Sequence, residues 1–291
     1  MLYEIESIVK DFDSIYSFLK DKKVLSSSTP ICSKCHREMT LIKHNQEKIF
    51  RCPTHKGEKE SITKKSYLEN SRLKLHDFIH VIYCWGSNLT ITGAIAMTGL
   101  SKSTVIQWYQ YMRDICSNNL INNPYQIGGV GHVVEVDESL MCKRKYNRRR
   151  TPQERWVFGG YDREDKKGFI LFVADRSSET LLPIIKKFIR PGTTIHSDCW
   201  PAYNGIAEMD VTPKYIHFTV NHSQNFVDPL TGVHTNSVEC YWKNAKRKFK
   251  TMMGVHSTMV DSYLDEFLWK TVWANCIRLL DEYSETSFRM V

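Results

Sequence analysis

The sequence predicts an α/β fold whose main domain spans residues 128–255, preceded by a small cysteine-rich module and a helical region. Three observations carry this. From Gly128 onward, β-branched segments alternate with helical ones. Two tight Cys/His pairs sit near the start, and apolar residues recur at helical spacing over residues 67–127.

Residues 1–28 carry Ile5, Ile8, Val9, Phe12, Ile15, Phe18 and Leu19 at the spacing of one amphipathic helix, closed by the Ser26–Pro30 stretch. In residues 29–66, Cys32-Ser33-Lys34-Cys35 is followed sixteen residues later by Cys52-Pro53-Thr54-His55. Two such pairs on tight turns suit one tetrahedral structural Zn²⁺ in a zinc-ribbon-like module, with folding energy drawn from the metal. His36 and His44 are rival ligands, and the fourth ligand is the open one.

Residues 67–127 read as a helix-turn-helix-like DNA-binding region. Leu75–Trp85 forms a first helix, and Thr90 caps a short second one. Gly99 makes the turn, and Ser101 or Ser103 caps a third helix. That helix places Val105, Trp108, Tyr109, Met112, Ile115 and Cys116 on one face. Its outward residues Lys102, Ser103, Thr104 and Gln107 are of the kind that reach base edges in a major groove, although an ordinary helical hairpin has the same pattern.

In the main domain, Gly131–Ser139 is a β-branched strand ending in acids. Strands follow at Arg155–Asp162 and Gly168–Ala174, then a helix at Ser178–Ile189 and a strand at Thr193–Ser197 running into Asp198. A strand at Lys214–Val220 and a helix from Asn236 to Lys250, bearing Glu239, complete it. The order β-β-β-α-β-α-β-α is that of the ribonuclease H-like fold. In that order Asp137, Asp198 and Glu239 can meet at one point. Three carboxylates suit two Mg²⁺ (or Mn²⁺) ions acting on a phosphodiester. Each acid also has a bland reading. Glu135 or Glu138 could replace Asp137 as ligand, Asp198 could cap a turn, and Glu239 stands at capping-box spacing from Asn236.

The chain of 291 residues has a formal charge of +8, and the excess clusters twice. Lys143, Arg144, Lys145, Arg148, Arg149 and Arg150 form one run, which is also of the nuclear-targeting type. Lys243, Lys246, Arg247 and Lys250 form a stripe one turn beyond Glu239, placed to hold a phosphate backbone. Val238, Tyr241, Trp242, Ala245 and Phe249 form the apolar face of the same helix. Nine cysteines, several single within apolar stretches such as Cys84, Cys116 and Cys276, read as reduced core thiols of an intracellular protein. No signal-type segment opens the chain, and no apolar run nears the ~20 residues of a membrane span. Residues 256–291 read as a helical tail.

Seven segments resemble one family: Glu135–Ser139, Lys145–Arg148, Trp156–Gly159, Asp175–Ser177, Arg190–Asp198, Trp200–Tyr203 and His234–Glu239. Over residues 130–255 they look like the Merlin superfamily of eukaryotic DNA transposons, with related bacterial insertion-sequence transposases. The resemblance implies a cut-and-paste transposase that binds terminal inverted repeats and target DNA as double strands. It implies a triad at Asp137, Asp198 and Glu239 and use of Mg²⁺ or Mn²⁺. A homo-oligomer holding two ends together is expected. The setting would be a nucleus in a eukaryote, or the cytoplasm and nucleoid of a bacterium. His234 and Asn236 match the pattern and are read as groups that support the site or position DNA. Arg148-Arg149-Arg150 departs from it, since a Gly is expected after the first Arg. A transposase-derived host DNA-binding protein without mobility is the alternative. A stand-alone nuclease is disfavoured by the appended modules.

Overall fold

The computed structural model describes residues 2–44, 47–141, 155–252 and 255–273. They form two compact units, residues 2–119 with Trp273 and residues 120–272.

The first unit opens with two helices, α1 (Leu2–Ile8) and α2 (Phe12–Asp21), where the periodicity suggested one. The break has a local cause. Asp11 is extended, and its carboxylate accepts the Ser14 N–H at 2.9 Å, so it caps a new helix instead of continuing the old one. Strands β1 (Thr40–His44), β2 (Glu47–Arg51) and β3 (Lys59–Ser61) follow as an antiparallel ribbon in sequential order.

Three helices complete the unit: α3 (Leu75–Gly86), α4 (Ile91–Thr98) and α5 (Lys102–Asn122). The Thr90 hydroxyl caps α4 by accepting the Gly93 N–H at 3.1 Å. Gly99, at φ +69°, ends α4 in the left-handed conformation that favours glycine. Ser101 Oγ accepts the Thr104 N–H at 3.2 Å and opens α5. The α5 face of Val105, Trp108, Tyr109, Met112, Ile115 and Cys116 is buried, with Trp108 edge-on to Phe78 at 5.2 Å.

The second unit holds β4 (Val133–Leu140), β5 (Trp156–Asp162), β6 (Gly168–Val173), α6 (Ser178–Phe188), β7 (Thr194–Asp198), β8 (Ile216–Val220), α7 (Asn236–Thr251) and α8 (Val260–Val272). The sheet order is β6-β5-β4-β7-β8. The β4–β5 and β5–β6 pairs are antiparallel, while β4–β7 and β7–β8 are parallel. One part of the predicted order is corrected. Between β7 and β8 the chain makes a single 3-10 turn at Pro201–Tyr203, not a helix. Gly205 weakens helix propensity there and Pro213 closes the segment, while buried Tyr203 and Ile206 fill the core.

Strand alternation divides the sheet into two faces. Val134, Val136 and Phe158 point to the face covered by Leu181 and Ile185 of α6. Val157 and Ile170 point to the face covered by Val238, Tyr241, Trp242 and Ala245 of α7 and by Leu264 and Leu268 of α8. A side chain of that size contributes roughly 1.5–3 kcal/mol when fully buried. Helix α8, within the segment read as a helical tail, packs on the same sheet face as α7. Among the described residues, no helix is long and apolar enough to cross a membrane.

Candidate active site and metal centre

Asp137 lies on β4, and Asp198 ends the neighbouring parallel strand β7. The register pairs Val133 with Thr194, Val134 with Ile195 and Glu135 with His196. Asp137 and Asp198 each lie two residues beyond the last of these pairs, near enough for the charge of Asp198 to act on the Asp137 carboxyl. Both acids are half-buried.

Asp137 titrates far from an ordinary carboxyl. Burial pushes its pKa up to about 7, the charges of Glu138 and Asp198 add to the rise, and the Trp242 indole N–H, donated to Oδ2 at 3.1 Å, opposes it. Glu138 is also raised, first by burial and then by the charge of Asp198. The neighbouring Tyr203 hydroxyl opposes part of the Glu138 rise. Asp137 and Glu138, both acted on by the charge of Asp198, make up the kind of carboxylate set that a hard divalent cation takes. Asp198 is steadied by the Trp200 N–H at 2.9 Å. Next to it, the Arg176 guanidinium lies between the rings of Trp156 and Trp200, 4.2 and 4.4 Å from their centres.

Glu239 is exposed and is the fourth residue of α7. The capping-box alternative is ruled out. The helix cap is Thr235, not Asn236, so Glu239 stands one position too far along, and the Thr235 side chain makes no capping bond. The helix start is held instead by Glu135. This fully buried carboxylate accepts the N–H groups of Ser237 and Val238 through Oε2, at 2.7 and 2.9 Å. Its Oε1 takes the Arg163 Nε, with His234 Nδ1 at 3.4 Å. Both oxygens are used, which removes Glu135 from the candidate ligands. The carboxylates of Asp137, Asp198 and Glu239 do not all lie within 4.8 Å of one another.

His234 joins this network through Arg163, whose Nη2 reaches His234 Nδ1 at 3.0 Å and donates to its carbonyl at 2.9 Å. Asn236 is exposed at the start of α7. The basic stripe is not uniform. Lys243 and Lys250 are exposed, while Lys246 donates to Ser139 Oγ at 2.6 Å. Arg247 lines a separate groove of about 600 Å³ with Lys166, Asn244 and Tyr241. Lys143, Arg144, Lys145, Arg148, Arg149 and Arg150 lie outside the described residues.

In the first unit, Cys32, Cys35, Cys52 and His55 bring all four donor atoms within 4.8 Å of one another. The separations include 3.5 Å for Cys35–Cys52 and 3.9 Å from His55 Nδ1 to both Cys32 and Cys52. A tetrahedron of ~2.3 Å zinc–sulfur bonds has edges of about 3.7 Å, so three thiols and an imidazole at these spacings fit Zn²⁺. The rivals His36 and His44 are exposed outside the cluster. On α5, Lys102, Ser103 and Gln107 are exposed and Thr104 is half-buried. Thr104 and Gln107 line a groove of about 770 Å³ with Arg72 and Lys74.

A further set, His132, Asp162 and Glu164, also converges within 4.8 Å. Here Asp162 is already saturated. It accepts from Gly128 N and His132 Nδ1 on one oxygen, and from Glu164 N and Asp165 N on the other. This cluster is a hydrogen-bonded clasp at the opposite end of β4.

Sequence reading missed the capping role of Glu135 and the partners Arg163, Trp242 and Arg176. One signal was available: apolar Val134 and Val136 alternate with Glu135, Asp137 and Ser139, which puts those three on one face.

Residues 129–271 match the family model of the ISXO2-like transposase domain. An uncharacterized transposase-like protein of Haemophilus influenzae is 29% identical over 104 residues, 36% of this chain and 80% of that protein. Male abnormal protein mab-31 of Caenorhabditis elegans is 32% identical over 150 residues, 45% of this chain but only 35% of its own length. Among solved structures, the catalytic core domain of BIV integrase aligns at TM-score 0.33 with 13% identity, over 47% of this chain and 81% of that one. The HTLV-2 integrase catalytic core domain in complex with magnesium aligns at 0.31 with 16% identity, over 48% and 84%. These spatial likenesses are weak. In sequence, residues 129–271 are thus similar to a transposase domain of the ISXO2-like type.

Proposed function

We propose that the chain is a cut-and-paste DNA transposase of Merlin type with a ribonuclease H-like catalytic domain, and that Asp137, Asp198 and Glu239 hold its divalent ions. The observation that supports this reading is the pairing of β4 with β7 just before Asp137 and Asp198, whose charges act on one another, with Glu239 on a helix anchored to β4. Bound there, two Mg²⁺ or Mn²⁺ ions would activate the attacking oxygen and offset charge on the leaving oxygen of an in-line phosphodiester displacement. The chain's own groups do the rest. The Trp242 N–H engages one oxygen of Asp137 and leaves the other to the ion. Trp200 N–H orients Asp198.

Lys243 and Lys250 meet the phosphate backbone, contributing affinity rather than sequence choice. Lys102, Ser103, Thr104 and Gln107 present the base-reading end of α5 to terminal inverted repeats. Zn²⁺ on Cys32, Cys35, Cys52 and His55 holds the ribbon, and a homo-oligomer brings two DNA ends together.

A strand-cleavage assay on an end-containing duplex tests this. Asp137→Ala, Asp198→Ala and Glu239→Ala are each expected to lose more than about 100-fold in cleavage, beyond the usual effect of a supporting residue. DNA binding should stay near wild type. Wild-type cleavage by Glu239→Ala would remove that residue from the site.

A further inference from the structure

Three side chains on one face of β4 meet three successive turns of α7. Glu135 accepts the Val238 N–H at 2.9 Å, Asp137 accepts the Trp242 indole N–H at 3.1 Å, and Ser139 accepts the Lys246 ammonium at 2.6 Å. The strand members are two residues apart and the helix members four. Two strand residues advance about 6.6 Å and four helical residues 6.0 Å, so the two spacings run nearly in step. A slip of one residue along α7 would turn its side chains by about 100° and break the Asp137–Trp242 and Ser139–Lys246 rungs.

The close approach has a specific cause. Asp137 lies opposite Gly159 on β5. A Cβ at Gly159 would fall 2.8 Å from Trp242 Cη2 and 2.0 Å from the Phe169 carbonyl oxygen. Only a residue without a side chain lets the indole reach beneath Asp137.

The first rung does more than register. The Asn236 N–H goes to His234 Nδ1 at 3.3 Å and Thr235 makes no capping bond, so the Glu135 carboxylate caps the next two N–H groups from another element. A negative group there also complements the positive end of the helix. Charge on a fully buried carboxylate is tolerable only when paired, and Arg163 pairs it while also gripping the His234 carbonyl just before the helix. Behind it, buried His196 lies level with Glu135 on β7.

We propose that Glu135 and Trp242 are positioning residues that set the Glu239 and Asp137 carboxylates for cation binding through this strand–helix ladder. The proposal rests on the reading of Asp137, Asp198 and Glu239 as cation ligands. Neither positioning residue is itself a ligand. Glu135 has both oxygens engaged, and Trp242 offers only an N–H donor.

The test is direct binding of Mn²⁺ to the full chain, read from the electron paramagnetic resonance signal of the free ion, with duplex DNA binding measured in parallel. Glu135→Gln keeps a capping carbonyl but loses the charge facing Arg163. Trp242→Phe keeps most of the ring and loses the N–H. Both are expected to weaken Mn²⁺ binding about 10- to 100-fold, the usual effect of removing a group that orients a ligand. DNA binding should be unchanged, and Glu135→Asp should recover part of the loss.

Leu264→Ala, in the apolar cluster beneath α7, controls for general loosening. It should lower the melting temperature and leave Mn²⁺ affinity alone. The ladder is overturned if both variants bind Mn²⁺ within about twofold of wild type, or if Leu264→Ala shows the same loss. If Glu135→Gln does not fold, Trp242→Phe decides. Glu239→Ala separates the two readings. Weakened Mn²⁺ binding in that variant alone refutes the ladder and keeps the ligands. Wild-type Mn²⁺ binding in it refutes the ligands and the ladder with them.

Discussion

Asp137 is a carboxylic acid kept where its charge costs energy. Its pKa of about 7, against 3.8 for the unperturbed group, means that the folded chain holds this proton more tightly than the unfolded chain. For a raised acid the folded state is favoured below the unfolded pKa. The cost then grows as pH rises from about 4 and is complete above 7. Asp137→Asn removes the charge and can still accept the Trp242 N–H. In ion-free buffer it should match wild type near pH 4 and exceed it by about 1–3 kcal/mol at pH 8, within the ceiling set by a three-unit shift. Cleavage should be lost. Calorimetry at the two pH values checks this, and an equal gain at both would show that charge is not the cause. Asp137 and Asp198 could be found in the sequence because each follows a β-branched run and needs only strand order to place it. Glu135 could not be told from them by type, since its partners, Ser237 and Val238, lie about a hundred residues away. The reading of Glu239 as its own helix's cap failed for a related reason. Helix α7 is capped from β4, so the local spacing from Asn236 carried no information.

Among the elements, the ribbon β1–β3 depends most on something other than its own apolar surface. Its strands are three to five residues long, and its buried residues near the Cys/His cluster are few: Cys32, Met39, Phe50, Cys52 and Ile62. With a metal as the missing source of folding energy, a strong zinc chelator should unfold this ribbon and leave the five-stranded sheet intact. Metal analysis should find one zinc per chain, lost in Cys52→Ser. A ribbon that keeps its amide-exchange protection in chelator, or protein free of zinc, would contradict this. The Cys/His spacing was legible because ligand pairs on tight turns are local features. The split of the first helix was legible in principle too, since Asp11 stands three residues before Ser14, the spacing of a cap. Apolar periodicity concealed it. The basic stripe of α7 was legible as composition but not as function. Which of its cations stay free depends on Ser139 and on the groove that Arg247 lines.

At the scale of the molecule, alternation and strand order carried most of the α/β architecture, because each buried strand shows its faces in its own residues. The turn between β7 and β8 was not foreseen as such, since the expected order supplied a helix where the chain makes a single 3-10 turn. The two units divide the proposed work: base reading and zinc in residues 2–119, phosphodiester chemistry in residues 120–272. All of it turns on whether Asp198 touches the ion at the level of Asp137. The measurement closest to that point exchanges the ligand atom. Mg²⁺ disfavours sulfur, whereas Mn²⁺ is the softer of the two and tolerates it better. Asp198→Cys should bind DNA normally, lose cleavage in Mg²⁺ by more than about 100-fold, and regain a measurable part of it in Mn²⁺. Full activity in Mg²⁺, or an equal loss in both ions by folded, DNA-bound protein, would contradict Asp198 as a ligand.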